Sequence, residues 1–184
     1  MQFTILATVA VLLAPLPGKS APPITAPRNA VVVRIALDDP TIVAIYDAAN
    51  TYDIATGALG AKKATTAAIR DYAAMLVTVH TSARQQGRDL AKKLGVTPTP
   101  PKVNPLAADH FAAMKKLKGL SGKAFDKAFL ENEVAYHKAV IAAVQTTLAP
   151  AIQNAELKAL VATVSPVFVQ HQLAAEQLLA KMTM

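Results

Sequence analysis

The sequence predicts an all-α protein, an antiparallel four-helix bundle with a short crossover helix between the second and third long helices. Three observations lead there. Hydrophobic residues make up 53% of the chain, with alanine prominent and only 5% aromatics, a composition that favours helix. Four long segments carry apolar stripes that advance by alternating steps of four and three residues, the spacing of one buried helix face. No competing run alternates at period two, so no strand is expected.

The elements follow in order. Asp39 is expected as N-cap of the first helix, with Pro40 at its first position. Its stripe is Ile42, Tyr46, Ala49, Asp53, Thr56 and Gly60. The second helix starts near Thr66 and ends at Gly95, where the prolines of "TPTPP" forbid continuation. Its stripe runs Ile69, Ala73, Leu76, His80, Ala83, Gly87, Leu90 and Leu94. "TPTPPKVNP" is a crossover, and Asn104-Pro105 opens a short helix through "LAADHFAAMKKL". Ser121 is the expected cap of the third long helix, whose stripe is Leu130, Val134, His137, Ile141, Val144 and Leu148. Asn154 caps the fourth, along Leu157, Val161, Val164, Phe168, His171, Ala175, Leu178 and Met182. Pro166 lies inside that helix and is expected to kink it one turn before His171. The four helices span about 24 to 29 residues each. The links between the first two and the last two are short, which makes each pair antiparallel neighbours. Four such stripes are buried together in a bundle.

A chain of 184 residues suffices for one domain with a substantial core. Residues 1–20 read as a secretory signal peptide. "FTILATVAVLLAPL" is an apolar run of 14 residues, too short to span a bilayer, and Gly18 and Ser20 are small at the −3 and −1 positions of a cut before Ala21. No Lys or Arg precedes the run, so an uncleaved anchor is the alternative. Residues 21–38, with Pro22, Pro23 and Pro27, read as a flexible tether, and 39–184 as the bundle domain. The expected location is the periplasm or cell envelope, with no stable membrane span after signal removal. The absence of cysteine excludes disulfides and a lipidated N-terminal cysteine. Stability then rests on packing, or on packing and a metal. The net charge of +7 is spread along the helices with no block of five like charges, a solvated surface and not a nucleic-acid face. No aromatic-plus-basic recognition motif is present.

Each long helix carries one polar, ligand-type residue on its seam: Asp53, His80, His137 and His171. Asp53 lies about 12 residues before the first turn and His80 about 14 after it. His137 lies about 12 before the last turn and His171 about 16 after it. At ~1.5 Å rise per residue, neighbours come level within several ångströms. Burying this set costs several kcal/mol unless its members pair with each other or hold a cation. Both outcomes stay open: a divalent metal site, or a structural His–Asp hydrogen-bond cluster in a non-catalytic envelope or stress-associated bundle. Three imidazoles and one carboxylate suit zinc or copper ahead of iron. A di-iron oxidase is not expected, because the residues three before the histidines are Val77, Val134 and Phe168. Glu133, four before His137, lies on the same side and is a candidate outer partner. His110, beside Asp109 on the crossover helix, is expected in solvent. Tyr52, Tyr72 and Tyr136 are expected to pack, with their hydroxyls on polar partners. No catalytic nucleophile, phosphate loop or substrate signature appears, so an enzyme is the least supported class.

"YDIATGALGAKKAT", "IRDYAAMLVTVH", "LKGLSGKAFDKAFLENEVAYHKAV" and "LKALVATVSPVFVQHQLAAEQL" resemble the bacterial domain-of-unknown-function family 4142, over residues from about 40 to 182. The resemblance implies an exported protein with a ferritin-like fold and no established activity. It implies an acidic residue at Asp53, usually Glu in the family, and histidines at His80, His137 and His171. This chain departs at Val79, where the family commonly has Asp.

Overall fold

A computed structural model describes residues 37–182, and these are helical, with no strand among them. The expected signal peptide and all of the tether before Leu37 lie outside the described residues. Five helices carry the described residues: α1 (Asp39–Lys63), α2 (Ala67–Leu94), α3 (Pro105–Gly119), α4 (Gly122–Ala143) and α5 (Ala155–Met182). A π-helical turn (Val144–Leu148) and a short piece (Ala149–Ala151) extend α4. α1 packs along α2 and α4 along α5, while α2–α5 and α1–α4 contacts tie the two pairs into a helical bundle.

The helix ends show how local chemistry sets these lengths. Asp38, not Asp39, caps α1: its Oδ1 accepts from Thr41 N at 2.9 Å. Asp39 instead reaches across the bundle and accepts from Gln153 N and Asn154 N, at 2.9 and 2.8 Å. Two adjacent aspartates thus serve two helix starts, which sequence spacing alone cannot apportion. Leu37 and Asp38, assigned to the tether, belong to the folded unit: Leu37 packs against Ile42 and its neighbours. Thr66 caps α2, and Gly95 ends it in the left-handed conformation (φ 65°), its N–H on the carbonyls of Ala91 and Lys92. Asn154 Oδ1 accepts from Glu156 N and Leu157 N at the start of α5. Ser121 stands at the cap position of α4, but its hydroxyl makes no capping bond.

One expectation for the second half changes. The third long helix is α-helical only to Ala143, then widens so that Ala149 N bonds Val144 O. Pro150 has no N–H to give, and its ring crowds the carbonyl four residues back. Pro166 lies inside α5, whose helix continues on both sides of it.

The core is three apolar clusters along the bundle. Ile42, Val43, Ala91, Leu157 and Val161 form the first. Tyr46, Ala83, Val140, Val164 and Phe168 form the second. Leu76, Phe125, Phe129, Leu130 and Ala175 belong to the third. On α2 and α5 the last two clusters are separated by one buried polar position, His80 between Leu76 and Ala83 and His171 between Phe168 and Ala175; on α4 Glu133 and His137 lie between Leu130 and Val140. The seams therefore deliver these histidines to one level of the bundle.

Candidate metal centre

Asp53, His80, His137 and His171 are buried, each 4% exposed or less. They converge from four helices, with one potential ligand atom of each within 4.8 Å of the others. Ligands around a single ion at ~2.0–2.2 Å stand up to ~4.4 Å apart, so small side-chain adjustments suffice to enclose one.

The tautomers are set from outside the cluster. Asn50 is buried (2% exposed), and its Nδ2 donates to Tyr46 O at 2.8 Å, one turn back on α1. That bond turns Oδ1 toward His80, whose Nδ1–H donates to it at 2.9 Å. His137 Nδ1–H donates to the backbone carbonyl of Glu133 at 2.9 Å. In a neutral imidazole the other nitrogen then carries a lone pair. His80 Nε2 lies 2.5 Å, and His137 Nε2 3.6 Å, from the same oxygen, Asp53 Oδ2. His171 Nδ1 stands 3.1 Å from His80 Nε2. Both Asp53 oxygens, His137 Nε2 and Glu133 Oε2 are buried with no hydrogen-bond partner. Two imidazole lone pairs thus face the Asp53 carboxylate, which shares its dry site with Glu133.

Burial keeps the rings neutral. It lowers His80 and His171 from 6.5 to about 4, and His137 to about 3, with smaller contributions from neighbouring rings to His137 and His171. It raises Asp53 to about 6, with neighbouring Glu133 and Thr56 pulling the other way. Glu133 is driven well above the carboxylate range, first by burial and then by the charge of Asp53. The protonated carboxyl of this pair is therefore Glu133. The ring of Phe168 stacks on His80 (5.4 Å, 7°) and meets His137 edge-on (6.5 Å, 61°), an apolar wall against water.

Glu133 and Asn50 were not on the predicted seams. Glu133 is fully buried, where the heptad-like stripe placed its neighbour Val134, which is only partly buried. Positions three and four residues on both lie near one helix face; α4 buries the earlier one, at Glu133 and Val140, and leaves Val134 and Ile141 partly buried. α2 buries the later one, Ala91 in place of Leu90. His110, expected in solvent, is half-buried and stacked on Tyr52 at 4.5 Å and 16°. It is not part of the cluster. The Tyr72 and Tyr136 hydroxyls donate to His171 O (3.2 Å) and Ala49 O (2.7 Å), pinning backbone beside the site.

A family model described as domain of unknown function DUF4142 matches residues 25–178. The chain belongs to this family. No curated protein and no solved structure matches the chain. The DUF4142 match spans all four converging residues together with Asn50 and Glu133, and it begins at residue 25, inside the segment read as a tether.

Proposed function

We propose that this DUF4142 protein is an exported, ferritin-like four-helix bundle that binds one divalent transition-metal ion through Asp53, His80, His137 and His171. The observation that carries the reading is the fixed tautomers. Asn50 and the Glu133 carbonyl hold the protons of His80 and His137 on the outer nitrogens, leaving both inner lone pairs aimed at one Asp53 oxygen. Outer hydrogen bonds of this kind are how proteins orient imidazole ligands. Three neutral imidazoles and a carboxylate favour zinc or copper over iron. Glu133 stays outside the ligand set as a protonated neighbour.

A structural cluster is the second reading, favoured by the 2.5 Å approach of His80 Nε2 to Asp53 Oδ2, which one shared proton would also close. Elemental analysis of protein purified from its native envelope, followed by calorimetric titration of stripped protein with zinc and copper, separates the two. The metal reading expects one equivalent bound at neutral pH, and no binding after His80→Ala combined with His137→Ala. A parent chain that takes up neither metal leaves only the structural cluster. Export is supported by the apolar run and small residues ahead of Ala21. N-terminal sequencing of the envelope fraction should begin at Ala21, and a mature chain that retains Met1 would overturn cleavage.

A further inference from the structure

Two hollows lie beside the cluster, and they differ in their charged and ligand-type groups. One, of about 370 Å³, lies beside the π-helical turn; its lining includes Val144, Pro166 and Phe168 and the neutral polar groups of Gln145, Ser165 and Gln170. Phe168 stands between this hollow and the imidazoles. The other, of about 190 Å³, is walled by α1, α3 and α4, and its lining includes Tyr52, Thr56, Asp109, His110, Asn132 and Tyr136. Tyr52, Asn132 and Tyr136 immediately precede Asp53, Glu133 and His137 in the chain. Asn132 Nδ2 donates to Glu133 Oε1 at 3.3 Å. The side chain of Thr56, itself buried, lies against both Asp53 and Glu133. The wall of this pocket is therefore one hydrogen bond away from the buried carboxylates.

We propose that the pocket beneath α3 is the port through which a divalent cation reaches the four-residue cluster, with Asp109 and His110 making the first contact. The inference rests on the metal-binding reading above. A hydrated cation exchanges water for oxygen and nitrogen donors stepwise, because stripping it in an apolar passage costs far more than any single contact returns. The α3 pocket offers such donors in sequence: the exposed carboxylate of Asp109, the half-buried ring of His110, then Thr56 and Asn132. The hollow behind Phe168 offers the neutral side chains of Gln145, Ser165 and Gln170, no carboxylate or imidazole, and an aromatic wall at its inner end. The chain carries a net charge of +7, which repels cations at long range. Asp109 is the one carboxylate in the lining of either hollow. A bundle that buries its ligands on four seams needs an opening where helix packing is interrupted, and the crossover helix supplies it.

A port changes rates and leaves equilibrium affinity alone, since uptake and release use the same path. The test uses cobalt(II), whose ligand-field absorption reports coordination, in stopped-flow uptake and in release to a chelator. Ala113→Trp and Leu106→Trp each place a bulky ring in the α3 pocket and should slow uptake and release together by about tenfold or more, with Kd unchanged within about twofold. His110→Ala should slow uptake in the same sense. Ala162→Trp, in the other hollow, should keep the parent's rates. Two independent pocket variants cover the case in which one does not fold. Parent-like rates in a folded variant of the α3 pocket, or slowing confined to Ala162→Trp, would overturn the port. A parent that binds no cobalt at equilibrium removes the metal reading and the port with it, a failure seen before any rate is measured.

Discussion

Acid should destabilise the metal-free protein through its buried imidazoles. Burial holds His80 at about 4 in the fold, against 6.5 for the exposed ring of the unfolded chain. The unfolded chain therefore takes up protons first. The stability linked to His80 is full above pH 6.5 and is lost as pH falls from 6.5 toward 4. A gap of 2.5 units at ~1.4 kcal/mol per unit gives about 3 kcal/mol for this ring. His171 is shifted equally and His137 further. Asp53 acts in the opposite sense. Its folded value of about 6 exceeds the unfolded 3.8, so stability is gained as pH falls from 6 toward 3.8, again by about 3 kcal/mol. Asp53 thus offsets one ring. Glu133, whose folded value stands well above the 4.5 of the unfolded chain, acts in the same sense as Asp53 and offsets a second ring over most of this range. The net loss between about pH 6.5 and 4 is about 3 kcal/mol, a large part of the ~5–15 kcal/mol typical of a domain. Urea unfolding followed by far-UV circular dichroism across this range measures it. Saturating zinc should raise the neutral-pH stability by about 2.7 kcal/mol at a hundredfold excess over Kd, and the gain should vanish in acid as protons displace the metal. A metal-free stability that is flat or rises through this window would refute the burial and neutral state of these rings.

Two further substitutions probe the site and its frame. Asn50→Ala removes the acceptor that holds the proton on His80 Nδ1 and should weaken zinc binding by about 10- to 100-fold; a competition titration with a chromophoric chelator reads this, and parent-like affinity would break the tautomer argument. Gly60→Ala puts a Cβ 2.6 Å from Phe129 Cζ and 2.9 Å from Ala73 Cβ, so it should cost about 1–3 kcal/mol in urea unfolding despite alanine's better helix propensity, and a stabilised variant would mean that α1 stands farther from α2 and α4.

Much of this was legible in the sequence because helix periodicity is a local property. The stripes of α1, α2, α4 and α5, the caps Thr66, Gly95 and Asn154, and the level of Asp53, His80, His137 and His171 all follow from counting residues at 3.6 per turn. The limits of that counting are equally physical. Residues three and four positions on share one helix face, so periodicity alone does not choose between them, and it named Val134 and Ile141 where the fold buries Glu133 and Val140. Asp38 and Asp39 are chemically alike and adjacent; only the approach of the α5 start assigns Asp39 to Gln153 and Asn154. Glu133 is driven toward its protonated form by burial among the other helices and then by the charge of Asp53, which comes from another helix. His80 and Asn50 stand 30 positions apart in the chain, and their hydrogen bond decides which imidazole nitrogen faces the cluster. The sequence by itself determined that Asp53, His80, His137 and His171 share one level of four seams, since each seam is written within one helix. Tertiary structure alone decided where their protons sit, since a proton's position depends on partners and burial contributed by the other helices.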